Sequence, residues 1–118
     1  MRNQITNYIR AGYPGVYVVS CEEARVEAEL KIIAESLGHS LYGWSITEGI
    51  VDTKDGHRRE VLDPLAAIET VEELPENCLL ILRDFHLLLE EANPVLLRKV
   101  RESLRAGKTK GKTLIVLG

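Results

Sequence analysis

Cys78–Leu117 reads CLLILRDFHLLLEEANPVLLRKVRESLRAGKTKGKTLIVL, and the order of its apolar and polar stretches decides the architecture. Cys78–Leu82 (CLLIL) is an unbroken apolar run. It is too short for a helix and lacks the alternation of a half-exposed strand. A strand of that kind is buried on both faces, as in a parallel sheet. Polar Arg83 and Asp84 end it. Pro94–Leu104 (PVLLRKVRESL), with Asn93 in the capping position, has the apolar spacing of an amphipathic helix. Thr113–Leu117 (TLIVL) is a second buried run. Strand, helix and strand in this order form a βαβ unit with a right-handed crossover.

The same alternation extends towards the N-terminus. Gly15–Ser20 (GVYVVS) is a β-branched and aromatic run entered through the turn Tyr13-Pro14-Gly15. Glu22–Leu37 carries Val26, Leu30, Ile33, Ala34 and Leu37 at helical spacing, with Gly38 as its C-cap. Leu41–Ser45 (LYGWS) is strand-like, and Asp63-Pro64 opens a helix with Leu65, Ala66, Ile68 and Leu74. Between them Asp55-Gly56 marks a hairpin turn flanked by Ile50-Val51 and Val61-Leu62. Residues 1–11 are expected to form a short N-terminal helix. The expected fold is α/β: three layers around a mostly parallel sheet of four core strands.

The chain has 118 residues, 45% hydrophobic and 28% charged. That is the size of one domain, commonly roughly 100–150 residues, and large enough to bury a core without disulfides or a metal. No apolar run approaches the ~20 residues of a membrane helix, and MRNQITNYIRAG contains no secretory signal. A soluble, cytoplasmic domain is expected. Cys21 and Cys78 have no metal-ligand spacing, and each sits at an end of a different strand-like run, which argues against a disulfide. The net charge of −3 is weakly against a dedicated nucleic-acid binder. It conceals a split: Arg98, Lys99, Arg101, Arg105, Lys108, Lys110 and Lys112 face only Glu102, so residues 98–112 carry +6 and the rest −9. These cations are a candidate contact surface for an acidic partner or a phosphate backbone. An ordinary solvated helix face, with cations favoured near its C-terminus by the helix dipole, is the better reading. No aromatic residue interleaves with them, which disfavours a single-strand stacking platform.

Phosphate-binding chemistry has two places to reside in such a sheet. Ala106–Thr113 (AGKTKGKT) satisfies the pattern [AG]xxxxGK[ST], but it follows a helix and enters a strand. A phosphate loop must do the reverse, so that helix N-terminal amides face the anion. We therefore read it as a polar connector. After the first strand, where the loop belongs, Ser20-Cys21-Glu22-Glu23-Ala24 has no glycine and no lysine, and two carboxylates that repel a polyphosphate. After the third strand, Leu79–His86 (LLILRDFH) resembles a Walker B strand with the acid displaced by Arg83 and with Phe85 where a glutamate usually follows. Asp84 suits a ligand at the carboxyl edge and suits helix capping better. His86 could act as a general base but has no Ser, Cys or metal partner in the pattern, and a histidine at the solvent edge is the better reading. Glu22, Glu23 and Asp84 could together hold a divalent cation, although the two glutamates also complement their own helix N-terminus. Trp44 and Glu48 end the second strand at the same edge; a lone Trp there suits the core or an interface better than a ligand platform, and Trp44 is also a candidate partner contact.

These residues resemble a family. Tyr13–Glu23 with Arg25-Val26-Glu27, Leu41–Gly49 (LYGWSITEG), Asp63-Pro64-Leu65 and Leu80–His86 look in order like the N-terminal region of Ycf46-like AAA+ ATPases, over roughly residues 8–118. The resemblance implies a degenerate P-loop domain with strand order 1-4-3-2, lacking the phosphate loop. It is expected to be the N-terminal part of a longer ATPase or a short stand-alone relative. ATP hydrolysis would then belong to a following module, with no catalytic residue, metal or cofactor in this chain. The partner would be an AAA+ module or neighbouring subunit. Two alternatives remain: a divalent-metal-dependent phosphohydrolase or nuclease using carboxylates at the carboxyl edge, and a nucleic-acid-binding module using the basic segment.

Overall fold

A computed structural model describes residues 2–19, 22–90 and 94–118. In chain order the elements are α1 (Arg2–Arg10), β1 (Gly15–Val18), α2 (Glu23–Leu37), β2 (Ser40–Ser45), β3 (Gly49–Asp52), β4 (Arg58–Arg59) and α3 (Pro64–Thr70). A 3-10 turn (Val71–Glu73), β5 (Cys78–Arg83), α4 (Phe85–Glu90), α5 (Pro94–Lys110) and β6 (Lys112–Leu117) follow. Among the described residues, one mixed sheet of six strands has the order β1-β6-β5-β2-β3-β4. Its first four members are mutually parallel, while β3 and β4 are added antiparallel.

The layers follow from β5 and β6. Leu79, Ile81, Ile115 and Leu117 join Val26, Leu30, Ile33 and Ala34 of α2 and Ile5 and Ile9 of α1 in one core. Leu80, Leu82 and Leu114 alternate to the other face, with Ala67, Ile68, Phe85 and Leu96 from α3, α4 and α5. Each such burial is worth about 1.5–3 kcal/mol, and neither face can be left open. Among the described residues no helix is long and apolar enough to cross a membrane.

Local signals place most helix ends. The Asp63 carboxylate accepts the Ala66 amide at 3.1 Å, with Pro64 at the first helical position. Gly38 ends α2 in the left-handed region (φ +71°) and the His39 amide closes on the Ala34 carbonyl at 2.9 Å. The capping position of Asn93, the thiol Cys21 and the strand end at Ser20 lie outside the described residues.

Three expectations need correction. The sheet has six strands rather than four, because Gly49–Asp52 pairs with β2. The hairpin turns at Asp55-Gly56, but the returning strand is Arg58–Arg59, opposite Val51 and Ile50, instead of Val61-Leu62. A two-residue charged edge strand has no alternation to detect. Finally, Ala106–Lys110 is helical, so only Gly111 (φ +68°) connects α5 to β6. Gly107 permits that tight return: a Cβ there would stand 2.6 Å from the Lys112 carbonyl oxygen.

The short connection buries Lys112. Its Nζ donates to the carbonyls of Val71 at 3.0 Å and Glu72 at 3.3 Å, tying β6 to the 3-10 turn. Nearby Cys78 is buried, and desolvation pushes its thiol up to about 11, so it stays protonated and inert at neutral pH. Lys112→Met would leave two carbonyls without this donor. We expect it to cost about 1–3 kcal/mol in urea unfolding, whereas Lys108→Met on the exposed face of α5 should be nearly neutral. Equal effects would contradict the structural role.

Candidate functional site

The carboxyl ends of β1, β6, β5 and β2 form one edge of the sheet, where ligands bind in open α/β folds. Its most strongly built feature is an ion pair absent from the sequence-level candidates. Arg83, the last residue of β5, reaches Glu27 in the second turn of α2, with Nε donating at 3.0 Å and a terminal nitrogen to the other carboxylate oxygen. Both side chains are about three-quarters buried. The hydrogen-bonded Glu27 raises the pKa of the Arg83 guanidinium against the opposing effect of burial, and the charges of Glu27, Glu48 and Glu23 add to it. The group is therefore a permanent cation held by an internal carboxylate. Gly43 makes room for it: a Cβ at this position would lie 2.8 Å from an Arg83 terminal nitrogen.

The expected edge residues divide around this pair. Glu23 and Glu48 share the electrostatic environment of Arg83. Glu22 precedes α2 without a side-chain cap and pairs locally with Arg25 at 3.0 Å. Asp84 adopts the left-handed region (φ +56°) and its amide donates to the Leu117 carbonyl at 2.9 Å. Its exposed carboxylate makes no capping bond among the described residues, because the backbone turn gives the Leu87 amide the Asp84 carbonyl instead. His86 is half-buried rather than at the solvent edge. Its ring covers Gly118, where a Cβ would come within 2.1 Å, and lies 5.9 Å from the Tyr17 ring. Its Nδ1 has no hydrogen-bond partner among the described residues. No group of three His, Cys, Asp or Glu among the described residues is arranged to hold a metal ion.

Trp44 is no surface contact. It is fully buried, packs edge-to-face on Phe85 at 5.6 Å, and donates Nε1 to the Val61 carbonyl at 2.7 Å. The reason is register: Trp44 shares its face with Leu80 and Leu82, under α3 and α4. Lys112 likewise leaves the candidate basic surface. Arg98 pairs with Glu102 at 3.6 Å and Lys99 with Glu72 at 3.2 Å, the latter contact raising the Lys99 pKa. Arg101, Arg105, Lys108 and Lys110 are exposed and make no ion pair among the described residues.

A cleft of about 470 Å³ lies at the opposite, amino edge, lined by Lys31, Glu35, His39, Asp52, Thr53 and Lys54. Burial lowers the pKa of His39, whose Nδ1 is also unpartnered among the described residues. Nothing in the sequence pattern marks this cleft.

The residue that sequence reasoning passed over was Glu27. Arg83 was visible as an interruption, and a charge ending a doubly buried strand demands a counter-charge. Its partner stands 56 positions away in sequence, which no local pattern reports.

The family described as "SpoVK-like AAA ATPase, N-terminal domain" matches residues 1–118. Among curated proteins, the "Uncharacterized AAA domain-containing protein ycf46" of Trieres chinensis is 31% identical over 113 residues, covering 93% of this chain and 22% of that protein. The proteins of the same description from Guillardia theta and Pyropia yezoensis are 29% and 30% identical, each over 92% of this chain and 22% of its counterpart. The chain thus spans about a fifth of the length of these relatives. No solved structure matches.

Two outcomes test the geometry. Gly43→Ala should destabilise by about 1 kcal/mol by displacing Arg83 from Glu27, and this cost should vanish in an Arg83→Met background; an unchanged cost in both would remove the steric link. For His39, a lowered folded pKa means the unfolded chain takes up the proton first. The stability contributed by the neutral ring is present above about pH 6.5 and is lost as pH falls below it. His39→Gln should therefore lose less melting temperature than wild type between about pH 7.5 and about pH 5.5.

Proposed function

Since the chain belongs to the family of SpoVK-like AAA ATPase N-terminal domains, we propose that it is a non-catalytic scaffold and interaction domain of a Ycf46-like AAA protein. It packs on an ATPase module, in the same polypeptide or on a neighbouring subunit, in the cytoplasmic compartment. The parallel strands β1-β6-β5-β2 then represent a P-loop-type sheet without a working phosphate loop. The observation that carries this reading is the Glu27–Arg83 pair. It links the start of α2 to the end of β5, across the region where a phosphate would meet a helix N-terminus and a Walker B-like strand. A guanidinium already neutralised by a carboxylate has little attraction left for an anion. Glu22, Glu23 and Glu48 make the surroundings less hospitable still, and residues 22–27 (EEARVE) contain neither glycine nor lysine. The reading requires no metal or cofactor in this chain.

A second reading has one specific observation behind it. Arg101, Arg105 and Lys108 recur at helical spacing on α5, exposed and without an ion pair among the described residues. Such a stripe suits a phosphate backbone or an acidic protein surface. Nucleic-acid binding through it would weaken steeply with added salt.

Titration calorimetry with Mg-ATP tests the principal reading. We expect no saturable heat at nucleotide concentrations up to about 1 mM, the level corresponding to roughly −4 kcal/mol of binding. Micromolar affinity accompanied by steady-state turnover would overturn it.

A further inference from the structure

The solvent side of α5 carries its charges in two arrangements. On one arc Arg98 pairs with Glu102 at 3.6 Å, and beside it Lys99 pairs with Glu72 at 3.2 Å. On the neighbouring arc Leu97, Arg101, Arg105 and Lys108 recur at intervals of four, four and three residues. That spacing aligns them in one stripe ~16 Å long. All four are exposed, Leu97 by 40%, and the three cations make no ion pair among the described residues. The stripe stands on a fixed support. Leu96 and Gly107 are buried on the opposite side of the helix, and Val100 and Leu104 pack on the second core.

The helix dipole accounts for only part of this charge. It favours cations within the last turn, which contains Lys108 and Lys110. Arg105 lies five residues before the end of α5 and Arg101 nine, beyond the reach of that effect. A phosphate backbone and an acidic protein segment would both meet these cations, and three features separate the two. A duplex continues past the stripe with one charge every ~1.7 Å, on a domain 35 Å long whose residues outside 98–112 sum to −9. A short acidic segment ends where the stripe ends. Leu97 gains nothing from a phosphate, whereas an apolar residue of a protein covers it. Residues 94–112 also hold no aromatic side chain on which a base could stack.

We propose that the Leu97–Lys108 stripe of α5 docks an acidic amphipathic helix of a partner protein, with carboxylates on the three cations and an apolar residue on Leu97. The proposal deepens the interaction-domain reading above by naming the surface and the chemistry of the partner. Arg101 and Arg105 suit carboxylates, which a guanidinium fork holds bidentately. A helix repeats its side chains at the same rise as α5, so carboxylates at matching intervals reach every cation. Antiparallel docking opposes the two helix dipoles. It also puts the carboxylates towards the partner's N-terminus, where negative charge is favoured.

Fluorescence anisotropy of the 118-residue chain with a labelled peptide tests this. The peptide is an Ala-rich helix of about 18 residues with Glu and Leu at the spacing of the stripe. We expect saturable binding that weakens about 10-fold when salt rises from about 50 to about 300 mM. Arg101→Glu with Arg105→Glu should weaken it by at least about 10-fold, and Leu97→Ala by about 3-fold. Arg101→Gln with Arg105→Gln removes the charges without reversing them and should give an intermediate loss. Arg10→Glu with Arg58→Glu makes the same charge change on exposed residues elsewhere and should stay within about 2-fold. All these side chains are exposed, and circular dichroism checks that each variant keeps its helices. Absence of saturable peptide binding overturns the proposal, as do equal losses in the two charge-reversed variants. So does a duplex of roughly 20 base pairs that binds more tightly than the peptide and ignores Leu97→Ala, because a nucleic acid is then the occupant. The Mg-ATP titration fails separately: nucleotide turnover would overturn the non-catalytic reading and leave the stripe standing, and a silent peptide would do the reverse.

Discussion

Burial of β5 on both faces is the constraint from which the rest of the structure follows. Leu79 and Ile81 must be covered from one side and Leu80 and Leu82 from the other. A strand with no polar face cannot sit at a solvated surface, so helices are required above and below. Covering both faces with a chain that returns in the same direction forces crossovers, and crossovers make the neighbouring strands parallel. Parallel strands in turn gather the β1–α2, β2–β3, β5–α4 and post-β6 segments at a single edge. The site is located there by topology before any side chain is considered.

Charge balance is the next problem at that edge. Arg83 ends a strand whose five preceding positions are all buried, so its guanidinium is drawn into partly desolvated surroundings. An unpaired charge there would be costly. Glu27 meets it from α2, Gly43 leaves space for it on β2, and Glu23 and Glu48 supplement the negative potential. The same space, offered to a polyphosphate, would need to be cationic and open. The carboxyl edge of this sheet is thus occupied by an internal ion pair with further carboxylates around it, in a chain that belongs to a family of N-terminal domains of AAA ATPases.

How much of this was legible depends on whether the signal was local. The caps at Asp63 and Gly38 and the apolar faces of α2 and α5 could be read directly, because a helix end or an amphipathic face is encoded within a few residues. The extension of α5 to Lys110 was hidden by a stretch of Gly, Lys and Thr that resembles a connector. Lys112 was misplaced, and Trp44 left open between core and partner contact, for a related reason. Both residue types commonly sit at surfaces, and only the register of β2 and β6 against the second core turns them inward. Arg58–Arg59 is too short and too charged to be recognised as a strand without its partner.

The sequence by itself determined the α/β class, the parallel core strands, the positions of most helices and the lack of glycine and lysine after β1. All of these rest on periodicity or composition within short windows. Tertiary structure alone decided that Arg83 meets Glu27, that Gly43 accommodates the pair, and that Trp44 is core. Those facts depend on register and on contacts between residues distant in the chain. A one-residue shift of a strand exchanges its two faces, so the side chains and free backbone groups presented at an edge exist only once the strands have paired.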